Sequence, residues 1–323
     1  MWIKQFPWCP LAIAHLYILN HLVDSQKTDI VPQTPQIYKL TAEYISDTLD
    51  VEWYDGGSAY PAETNVIWEI QVLREKPVLL EIYRTTLTGD DNLLHWQWIS
   101  NLPLNCTTHN VRIRARFART KVWSKWSRIW SIPGKEFGMY PRDRVVEVGS
   151  DVTFCCVWKK TERITSLSFA GCQTSHCQTA RLTRFSSTLH AKNIAVSPTS
   201  GFNAWCRAGN DFSSSIYGTV LFVGYPPDTP QKFTCGLLSS EKIKCQWEPG
   251  RPTALYGSRG THYFLTEQLS RTNITCPHAR HTRVPSECIF PILDDQTKYD
   301  FTLQAYNHLG HAKASILFET DIY

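Results

Sequence analysis

The chain has 323 residues, long enough for about two or three domains. Its net charge of +4 mixes both signs with no continuous basic run, which is too mild to argue for a nucleic-acid partner. Twelve Trp, eleven Cys, two Met and no long helical periodicity point instead to all-β modules built in an oxidising compartment.

Residues 1–28 read as a leader. Lys4 precedes an apolar run from Trp8 to Val23, broken by His15, Asn20 and His21. The run is short and interrupted for a membrane span, and fits a poor signal peptide or a leader created by an alternative start. With no other stretch apolar enough to cross a bilayer, the chain is expected to be soluble unless this segment anchors it. Two sequons, at Asn105 and Asn273, fit a secretory route.

The first module is expected over residues 29–134. Val31 to Pro35 is a linker entering a strand; Thr48 to Trp53 alternates, and Val66 to Leu73 reads as a buried strand. Trp53 and Trp68 are expected in the core, each contributing about 2–3 kcal/mol through burial. Asp55-Gly56-Gly57 is a turn. Cys106 has no partner within the module, and a glycan on Asn105 would require it to lie near the surface. From Asn110 to Phe117 the pattern alternates strictly: Val111, Ile113, Ala115 and Phe117 face one way, Arg112, Arg114 and Arg116 the other. The guanidiniums then stand about 7 Å apart. Trp123-Ser124-Lys125-Trp126-Ser127 follows, and its indoles can slot between them, each stacked pair worth roughly 0.5–1 kcal/mol. This pairing resembles the WSxWS signature of haematopoietic (class I) cytokine receptors, in which it closes the second fibronectin type III module of a cytokine-binding region and is structural.

The second module is expected over residues 135–226. Val145 to Val157 resembles the opening strands of an immunoglobulin domain, and Ser197 to Cys206 the later strand that carries the second core cysteine. Ser200, Gly201 and Trp205 stand where the usual Asp-x-Gly-x-Tyr-x-Cys motif would be, which leaves the tyrosine corner in doubt. Either Cys155 or Cys156 can face the core, because neighbouring strand residues point opposite ways. The pair that the resemblance implies is Cys156 with Cys206, and the remaining cysteine is left for Cys106 or Cys9. Cys172 and Cys177 are placed to close a small local loop. Tyr225 to Pro230 is a stiff proline linker expected to fix the angle to the next module.

The third module is expected over residues 227–323. Cys235 with Cys245-Gln246-Trp247, and Cys276 with Cys288, resemble the two cysteine pairs of the amino-terminal module of a cytokine-binding region. Tyr299 to Asn307 alternates and resembles a fibronectin F strand.

The order WSxWS module, immunoglobulin domain, four-cysteine module is similar to the leukaemia inhibitory factor and oncostatin M receptor branch of the class I family. The resemblance implies three tandem β-sandwich modules: fibronectin type III, immunoglobulin-like, fibronectin type III. It implies an extracellular or cell-membrane receptor, or a secreted decoy form. The partners implied are a four-helix cytokine of the leukaemia inhibitory factor or oncostatin M class and, through it, a shared signal-transducing co-receptor. The matching edge of the immunoglobulin domain is Asn210 to Gly218, with Phe212, Ile216 and Tyr217 as candidate ligand contacts beside a rigid junction.

No GxSxG, HExxH, Walker or GxGxxG motif is present, so no enzyme activity and no cofactor are expected. Cys172, His176 and Cys177, and His278 and His281 near Cys276, lack the usual zinc spacing. A cell-adhesion protein built from the same modules is the alternative, one that would lack both the WSxWS motif and the four-cysteine module.

Overall fold

The computed structural model describes residues 31–320 except 55–63, 75–77, 88–92, 136, 173–175, 210–212, 278–285 and 295. The leader with Cys9, the turn at Asp55, Phe212, His278 and His281 therefore lie outside the described residues. The architecture is all-β, with no α-helix among the described residues. No helix there is long and apolar enough to cross a membrane. The chain forms two compact units: Met1–Ala42, Leu49–Trp98 and His109–Ile132 in one, Glu43–Thr48, Ile99–Thr108 and Pro133–Tyr323 in the other.

The first seven strands are β1 (Gln36–Glu43), β2 (Thr48–Tyr54), β3 (Asn65–Arg74), β4 (Val78–Leu87), β5 (Leu93–Ile99), β6 (His109–Phe117) and β7 (Trp130–Ile132). They make a three-stranded sheet, β1-β2-β5, and a four-stranded sheet, β4-β3-β6-β7. Strict alternation buries Val111, Ile113, Ala115 and Phe117, with Trp53 and Trp68 meeting edge to face at 5.8 Å.

The other face of β6 carries the ladder. The Arg112 guanidinium lies 4.2 Å from the Trp126 ring; Arg114 sits between Trp126 at 4.5 Å and Trp123 at 4.7 Å; Arg116 lies 5.1 Å from Trp123. The serines explain the spacing of the motif. Ser124 donates its N–H to Ala115 O and accepts the Ala115 N–H on its hydroxyl, at 2.8 and 3.0 Å. Ser127 does the same to Ile113, at 2.7 and 2.9 Å. Two hydroxyls thus satisfy edge amides of β6 that no neighbouring strand reaches there. From the opposite side, β3 supplies acceptors. Arg114 meets the fully buried Glu69 carboxylate at 2.6 Å, and Arg112 donates to Gln71 Oε1 at 2.7 and 2.9 Å. Gln71 donates in turn to Glu69 at 2.8 Å.

The middle strands are β8 (Gly138–Tyr140), β9 (Arg144–Glu147), β10 (Val152–Val157), β11 (Arg163–Phe169), β12 (Cys177–Thr183), β13 (Ser186–Ala191), β14 (Phe202–Gly209) and β15 (Ser214–Gly224). They form two four-stranded sheets, β12-β13-β10-β8 and β11-β14-β15-β9, with β9 parallel to β15. Met139, Phe154, Cys156, Trp158, Leu189, Cys206, Leu221 and Val223 fill the space between them.

The last seven are β16 (Gln231–Ser239), β17 (Lys242–Glu248), β18 (His262–Glu267), β19 (Thr272–Thr275), β20 (Ser286–Pro291), β21 (Lys298–Asn307) and β22 (Gly310–Glu319). Their sheets, β16-β17-β20 and β19-β18-β21-β22, repeat the three-plus-four arrangement of the first seven. Fully buried Glu267 closes the turn after β18 by accepting the Ser270 N–H and hydroxyl, each at 2.6 Å, and the Asp300 N–H at 2.9 Å. Burial alone would push this carboxyl up, but the Ser270 and Asp300 donors outweigh it and hold its pKa at about 2.

Two outcomes follow. Arg114→Ala leaves the Glu69 carboxylate buried and without its guanidinium, and denaturant unfolding should show a loss of about 3–5 kcal/mol. Glu267 has a depressed folded pKa, so its contribution, about 3 kcal/mol, is present above the ordinary carboxyl value of 4.5 and lost as pH falls towards 2. Amide exchange in β18 and β21 should therefore be faster in Glu267→Gln than in the parent chain at pH 7, with the gap closing near pH 2.

Candidate ligand-binding surface

Adjacent cysteines on β10 organise the immunoglobulin module. Cys156 points between the sheets and bonds Cys206 of β14; Cys155 points out and bonds Cys106. The outward bond sits in a small apolar cluster of Leu102, Cys106, Tyr140, Cys155 and Val157, with Leu182 packed on it. The segment 99–108 thus belongs to the same compact unit as β10. Asp47 braces the same place: it accepts the Leu104 N–H at 3.0 Å and the Arg144 guanidinium at 2.6 Å.

This placement bears on the glycan expectation at Asn105. Asn105 is 8 % exposed, and its Oδ1 is buried without a partner among the described residues. Cys106 beside it is equally buried, not near the surface as a glycan on Asn105 would require. Asn273, the other sequon residue, is exposed on β19 and accepts the Thr266 hydroxyl at 3.2 Å. Cys172 bonds Cys177, Cys235 bonds Cys245 directly across β16 and β17, and Cys276 bonds Cys288, which joins the two sheets of the last seven strands. None of these sulfurs remains free as a metal ligand, and no cluster able to hold a metal occurs among the described residues. Ala204 stands two residues before Cys206 and faces the core, where a tyrosine corner would have a Tyr.

Of the candidate contacts, Ile216 is 62 % exposed on β15, opposite Arg207 of β14. Tyr217, its neighbour, turns the other way. Its hydroxyl donates to Glu162 at 3.0 Å and its ring meets Phe137 at 5.9 Å. Glu162 also accepts the Ser215 hydroxyl at 2.6 Å and the Lys159 N–H at 3.3 Å. Burial alone would push the Glu162 carboxyl up, but the Ser215, Tyr217 and Lys159 donors pull it below its ordinary value. Burial pushes the Tyr217 phenol up, and the carboxylate beside it adds to that. Tyr217 is therefore held inward, while Ile216 is the one presented to solvent.

The location of these residues differs from the expectation that they flank the linker. Ile216 lies eight residues before Gly224, about 26 Å along the strand, at the end of the module that also holds Phe137 and Trp158. The junction with the third module is at the opposite end and is close-packed. Tyr225 donates its N–H to Thr253 O at 2.8 Å, Asn307 donates to Tyr225 O at 2.9 Å, and the Arg259 guanidinium lies 3.7 Å from the Phe222 ring. A Cβ on Gly224 would fall 2.4 Å from Thr253 O, so only glycine fits. What stiffens the Ile216 end is Glu162 inside and the Cys106–Cys155 bond outside, features that no local motif announces.

Comparison with known proteins gives three consecutive family matches: the leukemia inhibitory factor receptor D2 domain over residues 27–132, the Ig-like domain of that receptor over 139–224, and its D4 domain over 226–322. The chain is 38 % identical over 307 residues to the leukemia inhibitory factor receptor of Homo sapiens, covering 91 % of this chain and 27 % of that protein. Against the same receptor from Canis lupus familiaris it is 37 % identical over 313 residues, covering 93 % of this chain and 28 % of that one. It is 29 % identical over 303 residues to the oncostatin-M-specific receptor subunit beta of Rattus norvegicus, covering 88 % and 30 %. The chain thus spans little more than a quarter of the length of the first two relatives.

The burial of Asn105 has a direct readout. In chain made through a secretory route, glycopeptide mapping should find carbohydrate at Asn273 and none at Asn105, and Asn105→Gln should leave the mass of attached carbohydrate unchanged.

Proposed function

The chain belongs to the leukaemia inhibitory factor receptor family, and on that premise we propose that it is an extracellular, non-enzymatic part of a cytokine receptor that binds a four-helix cytokine. The ligand is of the leukaemia inhibitory factor or oncostatin M class. The bound cytokine bridges the receptor to a signal-transducing co-receptor akin to the interleukin-6 receptor subunit beta, to which 151 residues of the chain are also similar. The observation that carries the reading is the exposed Ile216 on a strand fixed from behind by the Tyr217–Glu162 bond. An apolar side chain presented by a rigid frame forfeits little entropy on binding, which is what a contact of high energy needs. Phe212 is the second proposed contact.

Surface binding of the purified chain to leukaemia inhibitory factor and to oncostatin M tests this. Ile216→Ala and Phe212→Ala should each weaken binding about tenfold or more. Tyr217→Phe, which loses only the hydroxyl bond to Glu162, should weaken it by a smaller factor. Parent-like binding by all three variants would remove the site from this end of the module, and absence of binding by the folded parent chain would overturn the reading.

A further inference from the structure

The same end of the immunoglobulin module carries a second feature, a group of exposed cations with almost no counter-charge. Lys159, Lys160 and Arg163 lie on the turn between β10 and β11 and at its exit; Arg181 lies near the end of β12 and Arg184 on the turn between β12 and β13. The two turns are neighbours. Val157 pairs with Ser186, and Trp158 donates its N–H to Phe185 O at 3.0 Å. Among the described residues the carboxylate of these turns is Glu162, which is 8 % exposed and committed to Ser215, Tyr217 and the Lys159 amide. It points inward and leaves the five cations facing water.

Three of the five side chains are also held in place. The Arg181 guanidinium donates to Thr183 O at 3.1 Å and Arg184 O at 2.9 Å, which fixes its plane and leaves other N–H donors outward. The Lys159 ammonium lies 5.0 Å from the Phe137 ring and the Arg184 guanidinium 5.1 Å from the Phe185 ring. The Phe137 and Phe185 rings beside these cations are therefore roofed by charge. A protein interface wants an apolar anchor at its centre; a flexible polyanion wants spaced cations and gains affinity from counterion release without one.

We propose that Lys159, Lys160, Arg163, Arg181 and Arg184, on the paired turns and the strand end beside them, form a binding site for a sulfated polysaccharide. Fixed guanidiniums offer forked donors to sulfate oxygens, and the lysines add diffuse charge. The site adjoins the proposed cytokine contacts but uses different residues, so the two activities can fail independently.

Retention of the full chain on immobilised heparin, across a salt series, is the test. The parent chain should bind with steep salt dependence and should bind desulfated heparin and polyglutamate far more weakly. Lys159→Ala with Lys160→Ala and Arg163→Ala should weaken heparin binding about tenfold or more and flatten the salt slope. Arg181→Ala with Arg184→Ala should do so in a separate background. Arg119→Ala with Lys121→Ala and Lys313→Ala removes as much charge from exposed positions elsewhere and should bind within about twofold of the parent. Lys159→Arg with Lys160→Arg keeps the charge and should bind like the parent, and thermal unfolding of each variant reads folding separately. Equal losses in the cluster and control variants would overturn the site. So would failure of the folded parent chain to bind heparin at low salt. Equally tight binding to polyglutamate would reassign the surface to an acidic protein partner.

Discussion

A strand presents successive side chains to opposite faces, and Cys155 and Cys156 on β10 put a covalent bond on each. Cys156 crosses the core to Cys206 and holds the two sheets of the immunoglobulin module together. Cys155 reaches outward to Cys106 and so requires the outer face of its sheet to be covered. Leu102, Tyr140, Val157 and Leu182 are the cover. Once that cover is in place, the segment 99–108 cannot be a surface loop, and the burial of Asn105 and Thr107 follows from it. Asp47 then has to take a left-handed backbone, φ 55°, to bring its carboxylate to both Leu104 and Arg144. One residue of register on one strand thus decides the chemistry of a segment fifty positions earlier.

The Arg–Trp ladder is governed by a similar economy of faces. Stacking alone is weak at a surface, roughly 0.5–1 kcal/mol for each pair. The ladder gains its rigidity from what flanks it. On one side Ser124 and Ser127 close the amides of β6; on the other Glu69 and Gln71 give Arg114 and Arg112 fixed acceptors. Glu69 is tolerated in the interior because a guanidinium and an amide both reach it. The charge pair and the indoles therefore support each other: the rings screen the guanidinium from water, and the carboxylate fixes which rotamer the rings meet.

How much of this was legible depends on the range of each signal. Period-two alternation is local, so β6 and β21 could be read directly, and so could the three arginines, whereas β10 is recognised by its resemblance to an immunoglobulin strand. Glu69 and Gln71 sit on a different strand forty residues away, and nothing near the arginines points to them. The partner of Cys155 stayed open for the same reason that makes it interesting, since alternation shows that two neighbouring cysteines diverge but not where each ends. Sequons are three-residue patterns blind to burial, so the motif at Asn105 gave no sign that its residue is enclosed. The family resemblance brought Ile216 and Tyr217 forward together, although strand geometry sends one to solvent and the other to Glu162. It also set them beside the proline linker, whereas the eleven residues of β15 carry them to the far end.

That far end shows how one buried carboxylate can shape a surface it never touches. Glu162 sits in the run Lys159-Lys160-Thr161-Glu162-Arg163, where an outward carboxylate would neutralise its neighbours and leave a bland mixed surface. Instead it accepts the Tyr217 hydroxyl, the Ser215 hydroxyl and a backbone amide. These bonds stabilise the charged form enough to offset the cost of burial, since hydrogen bonds to an ionised acceptor are stronger than those to a neutral one. Two consequences come from this single choice of rotamer. The strand bearing Ile216 is pinned from inside, and the cations around it lose their counter-ion. Rigidity on one face and uncompensated positive charge on the next are thus not separate features of this module but two results of turning one side chain inward.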